Sequence, residues 1–260
     1  MIDPASLLPA NFLPEGIGAG AAVLLIIVSF FTSAITASFG IGGGVMMLAL
    51  MGLFIPVAAL IPVQGLVQFG SNAGRTFVQR AHVNRSFLTP FLAGSVVGAA
   101  IGAVTVVQLQ DALMKIVLGA FILFITWGKV PGMKTLTGTG LGIASAIIAF
   151  LSMFLGATGP LLASVVATMI PGDRKAVVAT SAAGLIVQHG LKVIAFGLAG
   201  FAFGQWLQLI AAMICTGYLG TVTGSKLLNR IPEERFRLVF KLILTVLALD
   251  MLRRGILSHT

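Results

Sequence analysis

Two short glycine runs and two polar stripes carry whatever chemistry this chain can do. Gly40-Ile41-Gly42-Gly43-Gly44 and Gly156-Ala157-Thr158-Gly159-Pro160 each interrupt a long apolar stretch. A helix that starts just after such a break presents free N–H groups and the positive end of its dipole, and glycine lets a ligand approach the backbone closely. Gly42, Gly43 and Gly44 in the first run, with Thr158 and Gly159 in the second, are therefore candidates to hold an anion. Pro160 stands where a helix favours proline, at its first position.

The stripes follow each break. Gln64, Gln68, Asn72 and Arg75 recur at steps of four, four and three, which places them on one helical face. Later in the chain Ser181, Gln188 and Lys192 follow at steps of seven and four, with Thr180 and His189 beside them. Polar groups among lipid-soluble residues are costly and usually line a cavity or pathway. Here Arg75 and Lys192 would hold negative charge from two sides while the amides and hydroxyls donate hydrogen bonds. Competing uses exist for each type: long cations snorkel to an interface, amides bond between helices, and a lone histidine either carries a proton or bonds a carbonyl.

Residue types also exclude chemistry. The seven carboxylates, Asp3, Glu15, Asp111, Asp173, Glu233, Glu234 and Asp250, all fall near expected helix ends or tails. Cation carriers and carboxylate relays need buried acids, so their absence favours an anionic substrate, with backbone coordination of Na⁺ left open. Asp250 has Arg253 and Arg254 three and four residues along its helix as partners. An intramembrane enzyme lacks support, since no Gly-x-Ser-x-Gly elbow, buried acid pair or metal cluster is present, the histidines being the scattered His82, His189 and His259. The first glycine run follows no strand and has no acid about 20 residues on, which excludes a dinucleotide fingerprint. No cofactor is expected, and lone Cys215 reads as a small apolar residue.

The elements that must position these residues are membrane helices. The chain has 260 residues, is 58% hydrophobic and only 9% charged, and its mean hydropathy is +1.08. A bilayer core of about 30 Å takes about 20 apolar residues to cross. The net charge of +9 is dispersed between apolar segments, without the basic stripe a nucleic acid would need. No Lys or Arg precedes the first apolar segment, so it reads as a retained span, with residues 1–16 as an extracytoplasmic tail.

The order of breaks and glycines repeats. Moving 116 positions carries Gly40-Ile41-Gly42-Gly43-Gly44 onto Gly156-Ala157-Thr158-Gly159-Pro160, and Asn72-Ala73-Gly74 onto Gln188-His189-Gly190. Moving 122 carries Gly98 and Gly102 onto Gly220 and Gly224. Each copy reads as five apolar segments, at 17–38, 44–55, 57–79, 86–107 and 110–128, then at 136–155, 160–170, 174–196, 203–225 and 234–256. The fold expected is an all-α membrane protein of two inverted repeats, 17–132 and 133–256, with a short tail at 257–260. Gly94, Gly98 and Gly102, spaced by four, read as close helix packing.

Charge supports inversion, because Lys and Arg concentrate on the cytoplasmic side. Arg80 and Arg85 follow the third segment of copy one, whereas the matching loop, 197–205, has no basic residue. The next loop flips the other way: 107–111 has none, and its counterpart has Lys226, Arg230 and Arg235. With both termini outside the cytoplasm, Lys129, Lys134, Arg174 and Lys175 also fall inside, while Lys115, Arg253 and Arg254 go against the rule. Segments 44–55 and 160–170 would rise only about 18 Å as helices. Each copy thus contains a Gly-rich broken or re-entrant helix, for 8 to 10 membrane helices in all.

From about Ile17 to Arg254 the pattern resembles the TauE/SafE sulfite exporters, which include relatives of toluenesulfonate uptake permeases. The residues that carry the resemblance are the run at 40–44, the run Gly156 to Leu161, Ala179-Thr180-Ser181 after Lys175-Ala176-Val177, and Ile231-Pro232. Copy one departs from the pattern, with Gln64-Gly65 where copy two has Thr180-Ser181. The resemblance implies a multi-pass carrier in the inner (cytoplasmic) membrane that moves sulfite, a sulfonate or another small organic or inorganic anion without ATP. Its partners would be that anion and the bilayer, with a proton or Na⁺ as open choices of coupling ion.

Overall fold

Three glycines spaced by four give a helix one smooth stripe, and a smooth stripe lets another backbone approach closely. The computed structural model of the chain describes residues 13–14, 16–40, 42–106, 111–128, 138–227 and 233–257. Ile41, the loop 107–110, Lys129, Lys134, Arg230, Ile231-Pro232 and both end tails (1–12 and 258–260) lie outside them, as do the side chains of Asp111, Glu233, Glu234 and Arg235. The described residues form ten α-helices: α1 Ala19–Phe39, α2 Gly43–Phe54, α3 Val57–Val78, α4 Arg85–Val106, α5 Asp111–Trp127, α6 Gly138–Leu155, α7 Gly159–Met169, α8 Arg174–Leu198, α9 Leu207–Leu227 and α10 Glu233–Leu257. The protein is thus an all-α membrane protein, and the ten segments expected from the sequence correspond to ten helices.

Among the described residues, five helices are long and apolar enough to cross a bilayer: Ala19–Phe39, Arg85–Thr105, Gly138–Leu155, Arg174–Leu198 and Phe203–Lys226. Their outer faces carry exposed large apolar side chains, among them Phe31, Ile101, Val104, Ile147 and Leu219, which suit lipid. Helices α2 and α7 have 12 and 11 residues, a rise of roughly 16 to 18 Å. Other helices enclose them, with Val45, Met47, Leu48, Met51, Leu162 and Val166 buried.

The two copies grip each other through matched seams. Gly94, Gly98 and Gly102 of α4 lie against α6, where a Cβ on Gly98 would collide with the Ala146 carbonyl. Gly217, Gly220 and Gly224 of α9 lie against α1, where a Cβ on Gly220 would collide with the Phe30 carbonyl. Phe30 and Ala146 are 116 positions apart, and Gly98 and Gly220 are 122 apart, the same offsets that relate the sequence repeats. Each copy's first helix therefore receives the fourth helix of the other.

Equivalent helices run in opposite directions. Along α5 and α10, Ala112 and Ile116 meet Gly255, Gly119 meets Ala248 and Leu252, and the Trp127 indole donates to Thr245 Oγ1 at 2.8 Å. Rising numbers in one helix meet falling numbers in the other. Helices α3 and α8 cross the same way, with Gly65 against Lys192 and Phe69 against Gly190. By contrast α1 and α9 run together, since Ser29 Oγ donates to the Met213 carbonyl and Ser38 Oγ to that of Gly224, at 2.6 and 2.9 Å. These directions are those of two inverted repeats, the odd number of segments per copy turning the second one over.

Basic residues gather at one end. There Gln79 Nε2 donates to Ser225 Oγ at 3.3 Å, the Asn84 N–H to Thr180 Oγ1 at 2.9 Å, and Arg174 to the Ser38 carbonyl at 3.1 Å. Arg80, Arg85, Arg174, Lys175 and Lys226 lie on or beside these ties. Gly255 lies against the start of α5, which puts the neighbouring exposed Arg253 and Arg254 at the opposite end. Asp250 pairs with both arginines, at 2.9 and 2.6 Å, as the spacing implied.

Candidate functional site

Each glycine run makes a helix end, a reversal and a new helix within a few residues. At Gly40 the chain leaves α1 with φ 85, its N–H still bonded to the Thr36 carbonyl at 2.8 Å, and Gly42 has φ 103. Side chains other than glycine rarely adopt such angles. Helix α2 then doubles back so tightly that a Cβ on Gly43 would overlap the Thr32 carbonyl and Thr36 Oγ1. In the second copy Gly156, with φ 70, ends α6, and α7 begins at Gly159-Pro160. Neither Gly42 nor Thr158 caps its helix through a side chain, so the first N–H groups of α2 and α7 lack side-chain partners.

The two breaks meet. A hollow of about 30 Å³ is lined by Gly40, Gly42 and Gly44 from the first break and by Ala157, Gly159 and Pro160 from the second. Helix α3 contributes Gln64, Gln68, Asn72 and Arg75 to its wall, and α8 contributes Leu185 and His189. The α3 stripe is internally bonded along part of its length: Arg75 Nη1 donates to Asn72 Oδ1 at 3.0 Å, and Asn72 Nδ2 to the Gln68 carbonyl at 2.7 Å. Other polar atoms on this wall are buried without a partner, namely both amide atoms of Gln64, Arg75 Nε and His189 Nδ1. Leaving a buried donor or acceptor unpaired costs about 1–3 kcal/mol, and four such atoms belong to residues that line this one hollow.

Charge around the hollow has one sign. Arg75 is 3% exposed, and no described carboxylate forms an ion pair with it. The described carboxylate side chains are Asp173, which accepts the Ala176 N–H at 2.9 Å and so caps α8, and Asp250 at the far end of α10. Neither lines the hollow. The described residues contain no group of His, Cys, Asp and Glu able to hold a metal.

Several candidates lie elsewhere. Gly43 packs on α1. Thr158 donates to Gln188 Oε1 at 3.0 Å, which ties the second break to α8 behind the hollow. Thr180 accepts the Asn84 N–H at the basic end, and Ser181 is buried but does not line the hollow. Lys192 departs most from expectation. Rather than facing Arg75 across the site, its Nζ donates to the Gly156 carbonyl at 3.1 Å, at the negative end of α6. Its methylenes lie over Gly65, where a Cβ would come within 3.0 Å of Cδ. A Cβ at 65 would push the lysine chain aside by a few tenths of an ångström, so the glycine of the copy-one pair Gln64-Gly65 suits the close crossing of the copy-two lysine.

Sequence reasoning missed Thr36, Val45 and Leu185, which line the hollow. Thr36 lies one helical turn before Gly40 and one turn after Thr32, a hydroxyl face that pointed to a polar surface. Leu185 gave no signal, being apolar in an apolar helix.

A second, larger hollow of about 450 Å³ lies toward the basic end between the end of α1, α7 and the start of α8. Ala163, Ala167, Val177 and Val178 line it together with Ser164, Asp173 and Arg174, and it shares Gly40 and Pro160 with the inner hollow.

Inverted helix repeats that bring two broken helices to a buried polar hollow define the architecture of a membrane transport protein. The family model described as Sulfite exporter TauE/SafE matches residues 25–251, and the chain belongs to that family. Comparison with curated proteins and with solved structures gives no match. The family's proteins are membrane transporters of sulfur-related anions rather than enzymes, and at that level this chain is one too.

Proposed function

We propose that the protein is a secondary carrier for a small oxyanion, sulfite or a compact sulfonate, held between the N-termini of α2 and α7. The observation that carries this reading is the meeting of both glycine breaks at one acid-free hollow whose Gln64, Arg75 and His189 have unpartnered atoms. Arg75 supplies the countercharge, and Gln64, Gln68, Asn72 and His189 supply side-chain hydrogen bonds. The backbone N–H groups at Gly44 and Gly159 complete the cradle, with Gly42 keeping the approach open. The hollow of about 30 Å³ has room for about two waters, so an oxyanion enters as the flexible Gln68 and Arg75 side chains draw back around it. Lys192, Thr158 and Gln188 act behind the site, fixing where the second break lies.

The basic end faces the cytoplasm, with both termini outside, in accord with the concentration of Lys and Arg there. Transport follows from rocking one copy against the other along the glycine seams, without ATP. Uptake of radiolabelled sulfite into proteoliposomes tests the reading. Wild type is expected to accumulate label, and Arg75→Gln to lose about 10- to 100-fold in kcat/KM, the worth of one charge-assisted hydrogen bond. Equal uptake by the two proteins would remove Arg75 from the site.

A further inference from the structure

The inner and outer hollows meet at a narrow place. Gly40 and Pro160 line both of them, and Val178, 3% exposed, closes over Gly40, since a Cβ on that glycine would lie 2.8 Å from Val178 Cγ2. Gly40 cannot readily be replaced for a second reason, its φ of 85. Pro160 adds the rigid ring at the start of α7 to the lining that both hollows share, and β-branched Val178 has a stiff side chain. Three inflexible groups therefore stand between a volume of about 450 Å³ and one of about 30 Å³. The outer walls combine apolar Ala163, Ala167, Ile170 and Val177 with polar Ser164, Asp173 and Arg174, so an anion meets Arg174 before the narrow place and Arg75 beyond it.

We infer that Gly40, Pro160 and Val178 form a size-selecting neck between the basic end and the inner hollow, and that Val178 sets the girth of the solute admitted. What passes rests on the carrier reading above; the neck itself rests on geometry. A trigonal or tetrahedral oxyanion with a small substituent fits this route, and one bearing an aromatic ring does not. Removing the two Val178 methyl groups is worth about tenfold or more in the passage of bulkier solutes, the scale at which pockets discriminate by single carbons.

Cysteine labelling tests the neck without any substrate. The native Cys215 is exposed on α9 and is first replaced, Cys215→Ala. Reporter cysteines are then placed singly, Ala163→Cys in the outer hollow and Val45→Cys or Leu185→Cys on the inner one. Purified full-length protein with a wild-type gel-filtration profile is treated with a methyl thiosulfonate and with a bulky aromatic thiosulfonate. The outer cysteine is expected to react with both reagents, and the inner ones about tenfold faster with the small one. Val178→Ala should raise the bulky rate at the inner positions about tenfold and leave position 163 unchanged, while Val178→Phe should slow even the small reagent. Equal rates for both reagents at positions 45 and 185, or a bulky rate indifferent to Val178→Ala, would overturn the neck. Absence of sulfite transport with size-dependent labelling intact would instead remove the carrier reading and leave the neck standing.

Discussion

Arg75 and Lys192 are both buried cations, yet they do different work. Arg75 borders the hollow with an unpartnered Nε, whereas Lys192 spends its ammonium on the Gly156 carbonyl. Substitutions should separate these roles. Arg75→Lys keeps the charge but loses the forked donor geometry, so it is expected to retain more transport than Arg75→Gln and less than wild type. Lys192→Ala should lower thermal stability in detergent by about 2–5 kcal/mol, the scale for truncating a long buried side chain. Lys192→Met, which keeps the methylenes over Gly65, should be milder in stability and leave the half-saturating sulfite concentration within about threefold of wild type. A large KM change in Lys192→Met without a stability change would place that ammonium on the substrate instead. This distinction was not legible in the sequence. A lysine on a polar stripe reads alike whether it reaches a cavity or a helix end, and only the fold shows the Gly156 carbonyl within reach.

Among the elements, the short helices α2 and α7 and the glycine seams respond to different substitutions. Gly43→Ala overlaps backbone of α1 and is expected to abolish folded protein in membranes. Gly44→Ala meets only the end of a flexible side chain, Gln68 Nε2 at 3.1 Å, and should fold while weakening sulfite transport. In the seams, Gly98→Val and Gly220→Val push into equivalent carbonyls of α6 and α1. Each should destabilise by about 1–3 kcal/mol or more, and to a similar extent, as read by detergent melting. Markedly unequal losses would argue that the two seams are not equivalent. Much at this scale was legible beforehand. The i, i+4 spacing of Gly94, Gly98 and Gly102 announced close packing, and the two glycine runs announced where α2 and α7 begin, because Gly40, Gly42 and Gly156 take backbone angles that other residues rarely adopt. Position along a helix was readable; which helix each seam would meet was not, since α4 pairs with α6 and α1 with α9 across the repeat boundary.

For the whole molecule, inversion brings the two broken helices together, so that residues of both breaks line one hollow. The sequence carried this as a flip in charge bias, and the opposed directions of α5 and α10 and of α3 and α8 express it in three dimensions. Orientation is open to a direct check. In a Cys215→Ala background, His82→Cys at the basic end should be labelled by a membrane-impermeant thiol reagent only from the cytoplasmic side, and Gly200→Cys only from outside; the reverse pattern would invert the proposed topology. The central claim concerns the meeting of the breaks, and anomalous diffraction from crystals soaked in selenite, a heavier analogue of sulfite, tests it most directly. An anomalous peak within hydrogen-bonding distance of Arg75 and of the backbone at Gly44 and Gly159, absent from Arg75→Gln crystals, is the expected result. A peak elsewhere in the molecule, with the inner hollow empty at saturating selenite, would contradict it.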